Sequence, residues 1–322
     1  MDTQEKQTIL VTGGAGYIGA HVVRQLVKAG LTVIVIDDLS TGKQANLGPE
    51  AMFMEGDFGD PELLNILFST HKIDAVMHLA ASIEVGESVE KPLEYLENNT
   101  LKTARLIQAM IDHDVKKLVF SSTAAVYGLQ DKMPVNESAE LGPIDPYGYS
   151  KLLTENLIQY YTKFCGLKAV VFRYFNACGS DFDKLIYSAH ESHLIPRVIR
   201  AVKGELDELE VYGNDYDTVD GTGVRDYVHV LDVARAHLSA LNYLNNNGIT
   251  DIFNIGTSNG LSVKEIINAV EKFSGKTVPV KMSPRRPGDS PITVADNSKI
   301  KAQLNFELEH SDLDTIIKTS WN

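Results

Sequence analysis

Cysteine is almost absent: Cys165 and Cys178 are the only two in 322 residues. With no CxxC and no Cys/His ligand spacing, the chain offers no zinc site; one disulfide stays open, but two cysteines in a chain this size fit a reducing compartment. Basic charge is also scarce, with 30 Lys and Arg against 43 Asp and Glu and a net charge of −13. No Lys/Arg run supplies the basic face of a nucleic-acid binder, and the pair Arg285–Arg286 is only a local spot. Long apolar runs are missing too; none approaches the ~20 residues of a membrane span. The segment Met1–Thr8 is polar and lacks the apolar stretch of a secretory leader. Internal repeats and low-complexity segments are lacking as well. The expectation is a cytoplasmic protein with no metal, no membrane and no nucleic acid among its partners.

What is present is an ordinary globular composition, 43% apolar and 23% charged, enough to bury a sizeable core. Short β-branched runs at Thr8–Val11, Thr32–Ile36, Ala75–Leu79, Leu118–Ser121 and Ala169–Arg173 read as strands. Most are apolar at consecutive positions, as parallel strands covered on both faces are. Helical patterns lie between them at about 17–29, 62–70, 92–112 and 148–164. This alternation predicts a parallel sheet with right-handed crossovers. Past about residue 176 the loops lengthen; helices are expected near 193–203, 230–245 and 262–274, with a strand at about 252–255 returning to the main sheet.

The first strand runs into Thr12-Gly13-Gly14-Ala15-Gly16-Tyr17-Ile18-Gly19. Gly14, Gly16 and Gly19 satisfy GxGxxG, while Gly13, Gly16 and Gly19 satisfy GxxGxxG. Glycines there allow a tight turn and close backbone approach to a pyrophosphate, with the N–H groups and dipole of the following helix facing it. The next strand ends before Asp37-Asp38, and Asp37 stands 18 residues past Gly19. A carboxylate there accepts from a ribose 2′-OH and repels a 2′-phosphate, which points to NAD rather than NADP.

Asp145-Pro-Tyr147-Gly-Tyr149-Ser-Lys151 contains YxxxK. Tyr147 and Lys151 share a helix face, and a nearby ammonium together with a positive nicotinamide would stabilise a phenolate fit for general-base work. Tyr149 faces elsewhere. Upstream, Ser121-Ser-Thr123-Ala-Ala-Val-Tyr127-Gly128 closes a strand where open α/β sheets bind ligands, and the Thr123 hydroxyl can bridge a substrate hydroxyl and Tyr147.

Together GGAGYIG, SSTAAVYG, YGYSK and Arg173-Tyr-Phe-Asn176 resemble the extended short-chain dehydrogenase/reductase family. Gly86-Glu-Ser-Val89, Pro92-Leu-Glu-Tyr95, Asn98-Asn99, Gly213-Asn-Asp-Tyr216, the run Asp220–His229 and Pro284-Arg-Arg-Pro-Gly-Asp289 are similar to its UDP-glucose (UDP-galactose) 4-epimerase branch. The resemblance covers nearly the whole chain. It implies an α/β fold: a Rossmann doubly wound parallel sheet with a smaller interleaved C-terminal lobe. Residues 1–176, with returning segments near 230–256, would bind NAD; 177–229 and 257–322 would bind the UDP-sugar.

The implied reaction is inversion of C4 of a UDP-hexose through a 4-keto sugar, NAD being regenerated in each turnover. Tyr147, Lys151 and Thr123 would be catalytic. Cofactor contacts would fall on Gly13, Gly14, Gly16, Tyr17, Ile18, Gly19, Asp37, Asp38, Asp57, Phe58, Leu79, Ala80, Ala81, Asn98, Thr123, Tyr147, Lys151 and Tyr174. Arg225 and Arg286 suit a diphosphate, and Asp289 the uridine ribose. Tyr212 would meet the uracil, Asn176 and Leu194 the sugar–phosphate neck, and Thr123 and Tyr147 the sugar 4-OH. Thr293 stands where some members carry a bulky Tyr, which implies room for UDP-GlcNAc and UDP-GalNAc. Ile83 replaces a common Lys and His193 a common Asn, so those two contacts are not carried over.

A homodimer through the helices near 92–112 and 148–164 is implied as well. Dehydratases place an acid just after the catalytic Ser/Thr, where this chain has Ala124 and Ala125. UDP-glucuronate 4-epimerase, another extended sugar-nucleotide enzyme and a non-catalytic NAD-sensing protein remain as alternatives.

Overall fold

The computed structural model describes residues 6–186, 193–286 and 288–321. The strands are β1 (Thr8–Thr12), β2 (Thr32–Asp37), β3 (Met52–Glu55), β4 (Ala75–His78), β5 (Lys117–Thr123), β6 (Lys168–Tyr174), β7 (Asn176–Cys178), β8 (Leu209–Tyr212), β9 (Val224–His229), β10 (Asp251–Ile255), β11 (Gly260–Ser262), β12 (Val280–Ser283) and β13 (Ile292–Thr293). The helices are α1 (Tyr17–Lys28), α2 (Pro61–Thr70), α3 (Val85–Glu90), α4 (Pro92–Leu96), α5 (Lys102–Asp112), α6 (Pro146–Cys165), α7 (Leu194–Lys203), α8 (Val230–Asn245), α9 (Val263–Ser274), α10 (Ser298–Leu304) and α11 (Leu313–Ser320).

The chain divides into two compact units. The first takes Met1–Gly128, Glu140–Arg173 and Ala234–Phe253; the second takes Leu129–Ala139, Tyr174–Val233 and Asn254–Asn322. The main sheet has the order β10-β6-β5-β4-β1-β2-β3, with β2–β3, β1–β2, β1–β4 and β4–β5 parallel. Strand order reverses between β1 and β4, the switch point at which doubly wound sheets bind ligands. Leu10, Ile34, Val76, Leu118 and Val171 fill the core on one side of the strands, where Leu64, Leu67, Leu106 and Ile158 from helices pack against them. These residues are almost wholly buried, which is why the strands read as unbroken apolar runs.

The returning strand appears as β10 beside β6. In the first unit two elements escaped the sequence. Strand β3 is short, unbranched in its side chains and at the sheet edge; α3 has only six residues. The helix expected over 92–112 is broken: α4 ends at Leu96, a π turn spans Glu97–Leu101, and α5 follows. Polar anchoring explains the widened turn. The Asn99 carbonyl accepts from the Thr103 and Thr154 hydroxyls at 2.8 and 3.0 Å, and its side chain donates to the Ser82 carbonyl and Ser150 Oγ. Single π turns of this kind gather at functional sites.

In the second unit β9 pairs with β11 antiparallel and with β13 and β7 in parallel, while β8 and β12 form a separate parallel pair. A second core joins Ile195 and Val198 of α7, Ile266 and Val270 of α9 and Ile316 of α11. Helix α9 begins with a reciprocal Ser262/Glu265 capping box and ends on left-handed Gly275.

Candidate active site

In the first unit, the glycine loop lies at the switch point. Gly13 has φ +70° and its N–H donates to the Ile36 carbonyl at 2.9 Å. A Cβ on Gly13 would sit 2.5 Å from the Ala80 nitrogen, and one on Gly19 would sit 2.0 Å from the Gly13 carbonyl oxygen. Only glycine lets the chains after β1 and β4 cross this closely. Gly16 caps α1 with no side-chain cap bond, and the positive end of the helix dipole lies at this turn. Such a bare cradle fits the pyrophosphate of a dinucleotide. Tyr17 is buried against His21, Ile18 is half-buried, and Leu79, Ala80 and Ala81 form the half-buried chain after β4.

Asp37 ends β2 and is buried. Its carboxylate accepts from Ala15 N and Leu39 N, both at 2.9 Å, and so ties the end of β2 to the glycine loop itself. Burial holds its pKa above the usual carboxylate value against these two bonds. Asp38 is exposed and accepts from Ser40. Asp57 is ion-paired to Lys102 at 2.7 Å. The Phe58 ring lies in the core, 4.9 Å from the His78 ring, so only its main chain is free to meet a ligand. Asn98 Nδ2 donates to Ser82 Oγ at 3.2 Å. Ile83, the residue in place of a common lysine, is 36% exposed.

Helix α6 starts at Pro146, pre-set for a first helical position, and Asp145 caps it by accepting from Gly148 N at 2.8 Å. That start puts Tyr147 in the first turn and Lys151 one turn on, both facing the end of β5. The Thr123 hydroxyl lies close enough to the Tyr147 phenol to favour its ionised form. Lys151 Nζ donates to the Ser121 carbonyl at 2.9 Å and lies 5.0 Å over the Phe120 ring. Tyr149, the other tyrosine of the motif, is 54% exposed.

The expected phenolate has two positive charges beside it, Lys151 and the nicotinamide, and the protein alone supplies only the first. In the protein alone, burial dominates: it pushes the Tyr147 phenol up to about 12, against the nearby Thr123 hydroxyl, and the Lys151 ammonium down to about 7, against the Glu155 charge. The pair is therefore held near neutrality, and a phenolate needs further positive charge at the site.

Two features here were missed. Buried His78 is hydrogen-bonded to Thr12 Oγ1 at 2.6 Å and to Thr103 Oγ1 at 2.7 Å, joining β1, β4 and α5 beneath the loop. Burial holds it neutral, its pKa pushed down to about 3. Arg173 and Glu155 form a buried ion pair at 2.7 Å. The i+4 spacing of Glu155 from Lys151 was the signal available for the second.

The second unit gathers the other candidates. Arg225 of β9 pairs with Asp289 at 3.1 Å, and Thr293 stands opposite Arg225 in the β13–β9 register. Two groups expected on the diphosphate and the ribose thus bind one another. Arg286 stacks over the Tyr212 ring at 3.8 Å, and the Tyr212 hydroxyl donates to Glu210 at 2.5 Å. Arg285 stacks over Tyr216 at 4.3 Å and pairs with Asp215. Asn176 donates to the Asp226 carbonyl at 3.1 Å. Leu194 opens α7 and packs on the second core, His193 being its cap residue without a side-chain cap bond. Tyr174, at the end of β6, is buried.

A switch-point glycine cradle beside a paired tyrosine and lysine defines a reductase-type α/β protein of the doubly wound class. The chain matches the NAD dependent epimerase/dehydratase family over residues 9–256, and it belongs to that family. It is 43% identical to a UDP-glucose 4-epimerase of Halalkalibacterium halodurans over 98% of this chain and 94% of that protein. Among solved structures, a UDP-glucose 4-epimerase from Brucella ovis in complex with NAD superposes with a TM-score of 0.95 at 42% identity, covering 98% of this chain and 97% of that one. The UDP-Glc/GlcNAc 4-epimerase of Campylobacter jejuni does so with a TM-score of 0.87 at 39% identity, covering 98% of each chain.

Proposed function

We propose that this protein is an NAD-dependent epimerase that inverts C4 of a UDP-hexose, interconverting UDP-glucose and UDP-galactose. The observation that carries the reading is the Thr123–Tyr147–Lys151 constellation beside a glycine cradle, in a chain whose relatives of near-equal length are UDP-glucose 4-epimerases. Bound NAD supplies a two-electron acceptor that is restored within each turnover. Tyr147 takes the proton from the sugar 4-OH and returns it, while the Thr123 hydroxyl orients that 4-OH. Lys151 stabilises the phenolate with its ammonium. The C4 carbonyl of the 4-keto sugar then presents its other face, which inverts the centre. Ala124 and Ala125 leave no acid beside Thr123 for the proton shuttling of a dehydratase.

Arg225, Arg286, Asp289 and Tyr212 are the groups for the UDP. They offer guanidinium forks for the diphosphate, a carboxylate for the ribose and an aromatic face for the base. Thr293 leaves room for a 2-acetamido group, so UDP-GlcNAc and UDP-GalNAc are accepted as well. The protein works in the cytoplasm, where Cys165 and Cys178 stay reduced; no helix among the described residues is long and apolar enough to cross a membrane. It pairs as a homodimer through exposed Leu93, Leu153, Tyr160 and Phe164 on α4 and α6. Purified protein given UDP-galactose and no added NAD should form UDP-glucose. Absence of product there, restored by no dinucleotide, would refute epimerase chemistry.

A further inference from the structure

Three consecutive residues of β5 meet three side chains of α6 that are one helical turn apart. The Ser121 carbonyl accepts from Lys151 at 2.9 Å, Ser122 Oγ donates to Glu155 Oε1 at 2.5 Å, and the Thr123 hydroxyl lies near enough to Tyr147 to favour its ionised form. Positions 147, 151 and 155 fall at i, i+4 and i+8, on one helix face. The first two belong to the YxxxK motif; the third has no part in the chemistry described so far.

Glu155 is itself held rigidly. Arg173 Nε donates to Oε1 at 3.1 Å and its Nη2 to Oε2 at 2.7 Å, a two-pronged grip with the side chains only 2% and 3% exposed. Arg173 in turn lies 4.8 Å over the Tyr127 ring, in the turn that follows Thr123. A buried ion pair is a poor source of stability, since apolar residues of equal volume often serve as well or better. Its directional bonds fix geometry, and the geometry fixed here is that of the strand carrying Thr123 against the helix carrying Tyr147 and Lys151.

We propose that Glu155 is a positioning residue: clamped by Arg173 and gripping Ser122, it sets the strand–helix register at which Thr123, Tyr147 and Lys151 meet. This rests on the reading of Tyr147 and Lys151 as the proton-transfer pair. Glu155 acts on Lys151 electrostatically too. The groups facing that ammonium are Glu155 on α6, His78 on β4, and the Ser121 carbonyl and Phe120 ring on β5, and the Glu155 carboxylate is the one that favours its charged form.

The test uses NAD-loaded enzyme, with kcat, KM, melting temperature and the pH dependence of kcat measured for Ser122→Ala, Glu155→Gln, the double variant Glu155→Gln/Arg173→Met, and Tyr147→Phe. Ser122→Ala leaves the ion pair intact; it should melt near the parent and lose about 10-fold in kcat with KM unchanged, as a small misplacement of reacting groups does. Glu155→Gln should move the alkaline limb of the profile to lower pH, because Lys151 deprotonates sooner. Should Arg173, stranded by that change, unfold the protein, the double variant carries no unpaired charge and is expected to show the same movement. Parental kcat and pH profile in Ser122→Ala and the double variant, with Tyr147→Phe inactive, would overturn the proposal. A lower melting temperature with an unmoved alkaline limb would also overturn it, as a purely structural role. Turnover surviving in Tyr147→Phe would instead bring down the assignment of the pair on which it rests.

Discussion

The groups of the first unit and those of the second are built in opposite ways. Around β1, β4 and β5 the site is made by main chain and by buried polar groups already paired: Gly13 and Gly19 at contact distance, Asp37 bonded to the loop, His78 between two threonines. In the second unit the candidate groups are instead long side chains paired with each other, Arg225 to Asp289 and Arg286 over Tyr212. The first arrangement is set before any ligand arrives. On the proposed function, a ligand would have to displace one partner of each pair in the second, so its residues would contribute grip rather than exact placement. Substitutions in the first should therefore abolish function, while substitutions in the second should weaken it.

Tyr147→Phe tests the steepest side of that contrast. It keeps the ring and loses the transferable proton, so turnover should fall by about 100- to 10,000-fold, the range of a lost general base. Bound dinucleotide and melting temperature should stay at parental values. A fall of less than about 10-fold in a single-turnover assay would remove Tyr147 from its role. Gly19→Ala comes next. Its Cβ would lie 2.0 Å from the Gly13 carbonyl oxygen, so the loop must open and the cradle is lost. Retained dinucleotide, read from the absorbance of the released cofactor, should drop by at least about 10-fold, the equivalent of 1.4 kcal/mol. Full occupancy would show that the loop yields more readily than its contacts indicate.

Arg286→Ala probes the other unit. Losing a charge-assisted contact costs about 1.5–3 kcal/mol, so KM for the UDP-sugar should rise about 10- to 100-fold with kcat near parental. Its ring partner Tyr212 remains in place. Should kcat fall instead of KM rising, Arg286 would belong with the preset groups and the contrast between the units would break.

The same contrast explains what could be read from the sequence. The glycine loop, Asp37 and the Tyr147–Lys151 pair are local: spacing along one strand–turn–helix or one helical turn carries them. The strands of the main sheet other than β3 were legible because burial on both faces leaves unbroken apolar runs. What stayed hidden depends on partners far apart in the chain. His78 reads as one polar residue at the end of an apolar run until Thr12 and Thr103 flank it, and Glu155 as a helix-surface acid until Arg173 meets it 18 positions on. The π turn at Glu97–Leu101 was unreadable because its cause, Asn99 bonded to Ser82 and Ser150, lies outside the helix. The pairing of Arg225 with Asp289 is long-range in the same way.

His78 gives the smallest expected effect and the sharpest test of how preset the first unit is. Its pKa is pushed down to about 3 from 6.5 by burial. Between those values the unfolded chain takes up a proton that the folded chain refuses. Stability is therefore present above pH 6.5 and is lost as pH falls toward 3, by up to about 1.4 kcal/mol per pH unit. From pH 6.5 to 5 this one residue should account for about 2 kcal/mol. His78→Gln keeps hydrogen-bonding capacity toward Thr12 and Thr103 but cannot titrate. Urea midpoints of the NAD-saturated protein should fall more steeply with acid in the parent than in this variant. Parallel curves would mean that His78 can take up its proton inside the fold, and that the floor of the glycine loop adapts as readily as the arginines of the second unit.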